Sequence, residues 1–324
     1  MQGVLGVSVT VLHGDCRAVL PTLDAGSVQC CVTSPPYYGL RDYGVAGQIG
    51  LEPTPDEYVA EMVTVFREVR RVLRDDGTLW LNIGDSYSTH AAGKVADPMA
   101  KSTLAGVRNA TVANRAASQR SDAEKRGGIP EKNLIGIPWM LAFALRADGW
   151  FLRSDIIWHK PNPMPESVRD RPTSAHEHVF LLSKRAAYFY DAGAIAESSK
   201  KPIEATTLSG TYSEGSGRND GCLHYSGGFV TGDTRNARNV WTIATQPYSG
   251  AHFATMPPDL AERCIKAGTK PGDTVLDPFG GAGTTGLVAD RLNRNAVLIE
   301  LNPQYRTLAQ ERITADAPLL VGVA

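Results

Sequence analysis

Thr274-Val275-Leu276-Asp277-Pro278-Phe279-Gly280-Gly281-Ala282-Gly283-Thr284-Thr285-Gly286 reads as a short β-rich run, a glycine-rich loop and the opening of a helix that continues to Leu292. Glycines there let backbone approach a ligand closely, and the helix N-terminus offers free N–H groups, so a ligand belongs at this turn. Gly281 to Gly286 formally matches the GxGxxG dinucleotide fingerprint, which alone is a weak signal. An Asp-Pro-Phe step precedes the glycines and no hydride-transfer constellation accompanies them. The next acidic residue at a strand end, Glu300, also comes earlier than the usual spacing of about 20 residues, which together argues against a nicotinamide cofactor. A phosphate-binding P-loop fails because no Lys follows the glycines.

Working outward, Ala296 to Ile299 reads as the next strand and Pro303 to Arg312 as a further helix. Glu300 closes that strand, putting a carboxylate at the carboxyl edge of a parallel sheet beside the glycine loop, where it can accept both ribose hydroxyls. A solvated strand end is the usual fate of a single Glu, and only the place of Glu300 one strand beyond Asp277 favours the ligand reading. Toward the N-terminus, Val7 to Leu12 is a β-rich run ending at His13-Gly14-Asp15, and Val28 to Val32 is an apolar run ending at Ser34-Pro35-Pro36. Asp15 has the same logic as Glu300 and could accept from an adenine amino group, with a plain turn-former as the competing reading. Tyr58, Met62, Val65, Phe66, Val69, Val72 and Leu73 recur at helical spacing between Pro55 and Leu73, and Asp75-Asp76-Gly77 is expected to stop that helix before a strand at Leu79 to Ile83. A helix from Trp139 to Arg146 and strands at Phe151 to His159 and His178 to Leu182 continue an α/β alternation.

Two stretches break the rhythm. Residues 88–130 are rich in Ala, Ser, Thr and Gly, with basic residues outnumbering acidic ones, and read as a mobile basic loop, either a solvated insertion or a segment that tracks DNA. Residues 192–250 are Gly/Ser/Asn-rich, carry Tyr212, Arg218 and Tyr225, and lack clear periodicity.

A chain of 324 residues supports one substantial core with a smaller appended module. Its 33 Lys and Arg against 34 Asp and Glu exclude a globally basic nucleic-acid coat, although a local positive surface would suffice for a specific enzyme. Cys16, Cys30, Cys31, Cys222 and Cys264 are odd in number and have no CxxC spacing, which argues against a disulfide framework and a zinc site; no metal is expected. No apolar run suggests a membrane span and the first residues lack an export signal, so the expected location is the cytoplasm.

Thr33-Ser34-Pro35-Pro36-Tyr37 follows a buried run, and its two prolines fix φ and remove two donors, leaving an acceptor-rich corner. An exocyclic amino group on cytosine or adenine is a poor nucleophile because its lone pair is delocalised into the ring. Acceptors at its two N–H groups favour the pyramidal geometry needed for in-line attack on a sulfonium methyl, and a face-on aromatic holds an extruded base. The Ser34 hydroxyl and Pro35 carbonyl can accept and Tyr37 can stack; in isolation the pentapeptide would read as an ordinary Pro-Pro turn.

Together, the Thr33 to Tyr37 pentapeptide and Asp277 to Thr285 resemble the amino-methyltransferases of restriction-modification type, in the permuted group whose catalytic motif precedes its cofactor motif. Gly14-Asp15-Cys16, Gly77 to Asp85, Ile157 to Asn162 and His252 to Pro257 fall in family order, so the resemblance covers most of the chain. It implies a circularly permuted, seven-stranded Rossmann-like α/β sheet cut between its second and third strands, built from residues 1–191 and 251–324, with an inserted target-recognition region at 192–250. S-adenosyl-L-methionine is the implied cofactor. Asp277, Phe279, Gly281, Gly283, Thr284 and Thr285 would contact its methionine and adenosine parts, Glu300 the ribose and Asp15 the adenine, and His252 to Thr255 would close over the methionine end. Catalysis would rest on Ser34, Pro35, Pro36 and Tyr37. Trp158 to Asn162 would line the base pocket, with Trp158 as core and Lys160 as a phosphate contact the alternatives; Asn82 and Asp85 face either pocket or solvent. The implied partner is duplex DNA, with a cognate restriction endonuclease in function and a homodimer as one assembly. Thr-Ser before the prolines looks more like N4-cytosine than N6-adenine members. C5 methylation needs a cysteine nucleophile, and no Pro-Cys dipeptide occurs. An RNA or protein-glutamine methyltransferase, or a cofactor-binding protein that has lost catalysis, stays open.

Overall fold

The strand Val28–Thr33 (β2) is buried at all six positions, as a strand covered on both faces of a parallel sheet must be. The computed structural model describes residues 7–88, 128–198, 234–246 and 255–316. The N-terminal residues 1–6, nearly all of the basic loop, most of 192–250, Cys222 and His252 therefore lie outside the described residues.

Around β2 the chain builds Val9–His13 (β1), Leu73–Ile83 (β3), Phe151–His159 (β4), His176–Ser183 (β5), Glu197–Ser198 (β6), Thr234–Arg235 (β7), Val240–Thr242 (β8), Thr274–Asp277 (β9) and Asn295–Glu300 (β10). Among the described residues the main sheet has eight strands in the order β1-β10-β9-β2-β3-β5-β4-β8. The first five run parallel to one another, and β5 lies antiparallel to both β3 and β4. Strand β1 pairs with β10, Val9 opposite Ala296 and His13 opposite Glu300, so neighbours in the sheet stand at opposite ends of the sequence, as a permuted sheet requires. The expected seven strands gain an eighth: β8 pairs with β4 at the sheet edge, Trp158 opposite Trp241. Residues 239–246, within the stretch read as lacking periodicity, belong to the sheet, since the chain divides into Met1–Asp191 with Asn239–Ala324 and a small unit Ala192–Arg238. In the small unit β6 pairs with β7, and Glu197 holds Arg235 and Arg238.

Local chemistry sets the helices. Pro55–Val72 (α2) begins with Thr54 and Glu57 as a reciprocal capping box and Pro55 in the first turn, and carries Arg70 and Arg71 in its last. It ends at Val72, and the strand starts at once at Leu73 rather than at Leu79. The Asp75-Asp76-Gly77 corner is absorbed as a bulge, the pairing stepping from Val28–Leu73 to Cys30–Thr78. Leu79, Leu81 and Ile83 of β3 pack with Tyr58, Met62 and Phe66 of α2 and with Leu141 of Ile137–Ala147 (α3). The alternate positions Thr78 and Trp80, with Cys30, meet Gly268 at the end of Pro258–Gly268 (α4), the period-2 alternation of a sheet buried on both faces. Short Cys16–Val19 (α1), then Thr284–Arg291 (α5) and Pro303–Asp316 (α6), complete the helices used below.

Candidate active site

Because β9 and β2 are parallel neighbours, the glycine loop after β9 and the Ser34 loop after β2 emerge at the same sheet edge. A buried hydrogen bond joins their roots: Thr33 Oγ1 donates to Asp277 Oδ1 at 2.7 Å. Thr285 Oγ1 donates to the other oxygen at 2.8 Å and the Phe279 N–H to Oδ1 at 3.1 Å. Burial pushes the Asp277 carboxyl above its usual range against these three donors.

Glu300 ends β10 with one oxygen accepting from the Gly281 N–H at 2.7 Å and the other from the Asn302 N–H at 2.7 Å. Burial raises its pKa also. Thr284 Oγ1 accepts from Arg312 at 2.9 Å. Asp15 caps α1 by accepting from the Arg17 N–H and side chain, and Arg17 reaches on to Glu61 and the Gly47 carbonyl. Burial alone would push Asp15 up; the Arg17 hydrogen bonds outweigh it and hold the carboxyl below its ordinary value.

On the catalytic side, the Pro36 carbonyl accepts from the buried Tyr58 hydroxyl at 2.8 Å, which pins the loop to α2. Ser34 Oγ lies 3.4 Å from the Tyr37 hydroxyl, and that hydroxyl donates to Glu177 Oε2 at 2.6 Å. Asn82 Nδ2 donates to the same carboxylate oxygen at 3.0 Å, and Lys160 forms an ion pair with its other oxygen.

One cavity of about 1050 Å³ is lined by Asp15, Ser34, Pro35, Pro36, Tyr37, Asp277, Phe279, Gly281, Thr284, Thr285 and Glu300. The sequence-derived site is thus gathered into one place, with two departures. Gly283 is not in the lining; it packs against Ala309 of α6. His252 lies outside the described residues.

Asp85 accepts from the Gly136 and Ile137 N–H groups at the start of α3, so it serves as a helix cap that also borders the cavity. Trp158 is buried, its indole N–H donating to the Ile243 carbonyl at 2.9 Å, and Lys160 is engaged by Glu177. Sequence reasoning missed Glu177, which sits 140 residues from Tyr37 on an antiparallel strand with no motif of its own. The one available signal was its place, together with Lys160, in the cavity-facing ends of a strand pair.

A family model described as DNA methylase matches residues 28–311. The type II methyltransferase M.Cfr9I of Citrobacter freundii is 46% identical over 315 residues, covering 97% of this chain and 91% of that protein. M.SmaI of Serratia marcescens, also a type II methyltransferase, is 47% identical over 306 residues, covering 94% and 91%. Among solved structures, TTHA0409 of Thermus thermophilus, described as a DNA modification methylase and complexed with S-adenosyl-L-methionine, is 25% identical with a TM-score of 0.59, covering 98% of both chains. With the Ser34 loop and the glycine loop joined at one sheet edge, these matches place the chain in the N6/N4 DNA methylase family.

Proposed function

We propose that the protein methylates the N4 amino group of cytosine in duplex DNA, using S-adenosyl-L-methionine, with the target base extruded into the cavity. The observation that carries this reading is the Thr33–Asp277 hydrogen bond, which joins the Ser34 loop to the glycine loop over one cavity of about 1050 Å³. Drug-sized ligand pockets run to roughly 1,000 Å³, so there is room for a nucleoside cofactor and a base side by side.

The residues suit this cofactor. Gly281 backbone and the Glu300 carboxylate meet at 2.7 Å, and a carboxylate that already accepts two N–H groups keeps lone pairs for ribose hydroxyls. Asp15 and Phe279 border the same cavity and are assigned to the adenosine and methionine ends. When bound, the cofactor supplies an electrophilic sulfonium methyl. Ser34 Oγ and the Pro35 carbonyl accept from the two amino hydrogens and free the nitrogen lone pair for attack. Tyr37 offers its ring face to the base, and the ring of proline and tyrosine around the amino group keeps water out. Asp277 and Thr285, whose polar atoms are engaged with one another, act by holding the two loops in register.

The Thr-Ser start of the pentapeptide favours cytosine over adenine. Target recognition is assigned to residues 192–250, duplex DNA is the partner, and a cognate endonuclease completes the system. Labelled methyl transfer to plasmid DNA, followed by nucleoside digestion and mass detection, tests the reading. N4-methylcytosine is the expected product; N6-methyladenine would move the assignment to adenine, and no incorporation despite tight cofactor binding would leave a binding protein without catalysis.

A further inference from the structure

Tyr37 is held at its ring and at its hydroxyl. Beneath the ring lies Gly84, the residue after β3, where an added Cβ would come within 2.7 Å of Tyr37 Cε2 and 3.2 Å of Cδ2. No side chain fits between them, so the ring rests directly on backbone. At the hydroxyl, Glu177 Oε2 accepts at 2.6 Å.

Glu177 is itself fixed. Asn82 Nδ2 donates to Oε2 at 3.0 Å, and Lys160, which lies 4.5 Å over the Trp158 ring, holds Oε1. The Glu177 and Lys160 side chains are 16% and 18% exposed, so the carboxylate is largely withdrawn from water and its charge is balanced by one ammonium. Burial and the nearby Glu177 charge push the Tyr37 phenol well above its usual range, which keeps it a donor at every pH where the enzyme would work. Three strands, β3, β4 and β5, thereby converge on one aromatic residue of the catalytic loop.

We propose that Glu177 is a positioning residue for methyl transfer, fixing the plane of Tyr37 so that the face opposite Gly84 is presented to the extruded base, with Lys160 and Asn82 holding the carboxylate in place. The inference rests on the base-capture reading above. A stacking ring free to turn about its side-chain torsions would still admit the base but would present its amino group to Ser34 at varying angles. Misplacement of a reacting group by about 1 Å can cost on the order of 100-fold in rate. The cofactor edge at Gly281 and Glu300 shares no residue with this cluster, so cofactor affinity should be untouched.

The test uses the full chain, labelled S-adenosyl-L-methionine and plasmid DNA under single-turnover conditions, with cofactor affinity measured by calorimetry. Glu177→Ala, Tyr37→Phe and Gly84→Ala should each slow transfer about 10-fold to 100-fold, with cofactor affinity unchanged. The Glu177→Ala/Tyr37→Phe double variant should be no slower than the worse single one, because both remove the same contact. Glu177→Gln, whose amide oxygen can still accept from the phenol, should recover part of the loss. A Glu177→Ala enzyme at the wild-type rate, multiplying losses in the double variant, or cofactor affinity falling in step with rate would each overturn the proposal. Should Glu177→Ala fail to fold, the Glu177→Gln and Tyr37→Phe pair gives the same cycle. Failure of the wild-type chain to methylate DNA would instead refute the functional reading.

Discussion

Gly283→Ala isolates how the glycine loop is built. Gly283 precedes α5 with φ at +76°, in the left-handed region, and an added Cβ would lie 2.9 Å from Ala309 Cβ, 3.1 Å from Ala309 Cα and 3.3 Å from Ile313 Cδ1. Ala309 and Ile313 are fully buried on α6, so neither can step aside into solvent. The left-handed backbone costs a residue with a Cβ roughly 1–2 kcal/mol, and forcing a methyl into a packed contact costs roughly 1–3 kcal/mol. Their sum, roughly 2–5 kcal/mol, is a large part of a typical domain stability of about 5–15 kcal/mol. Gly281→Ala is the control: φ is +50°, yet the nearest atom to its Cβ is the Phe279 carbonyl oxygen at 3.8 Å, so only the backbone cost applies. Urea unfolding of the cofactor-free protein should show Gly283→Ala as the more destabilised variant by roughly 1–3 kcal/mol, the steric share alone. Equal losses in the two variants would refute the close α5–α6 contact. A Gly283→Ala loss below about 1 kcal/mol would refute the backbone argument as well.

Ser34→Ala should slow methyl transfer about tenfold or more, the cost of one lost hydrogen bond to a reacting group, while calorimetry finds cofactor affinity unchanged. Parallel loss of both would remove the role assigned to Ser34. Asp277→Ala strands the buried Thr33 and Thr285 hydroxyls and should lower both the urea midpoint and cofactor affinity, by about 1–3 kcal/mol in stability; an unchanged midpoint would show that the two loops do not depend on this link. Cofactor affinity should fall with decreasing pH as Glu300, whose carboxyl is raised by burial, takes up its proton and stops accepting from ribose. The cofactor-free fold has the opposite slope for this group: a folded pKa above the unfolded one contributes stability at low pH that is lost as pH rises through the folded value. Binding titrations across that range, with Glu300→Gln flattening the profile, check the sign.

Most of the sheet was legible because its strands are short apolar runs bounded by Gly, Pro or acidic corners, and its helices carry a wide apolar stripe. Val240–Thr242 was not, since three residues give no period and only the pairing of Trp241 with Trp158 makes them a strand. The start of β3 was misread because Asp75-Asp76-Gly77 has turn chemistry that the sheet accommodates as a bulge. At the site, residues at strand ends beside Gly or Pro were readable, as their backbone constraints are local. Glu177 was not, because its importance comes from Tyr37, Asn82 and Lys160, contributed by three distant segments. Asp277 was legible in place and altered in role: both its oxygens are engaged by the protein, which makes it a fastening between loops.

The permuted strand order has a consequence for biosynthesis. Thr33 and Asp277, which join the two halves of the site, are 244 residues apart, and β9 must enter the sheet between β2 and β10. At typical translation rates that separation is on the order of tens of seconds, during which β2 waits on the ribosome with one edge unpaired. An enzyme assembled in this order cannot hold its cofactor while nascent, and the waiting edge is where a chaperone would be needed.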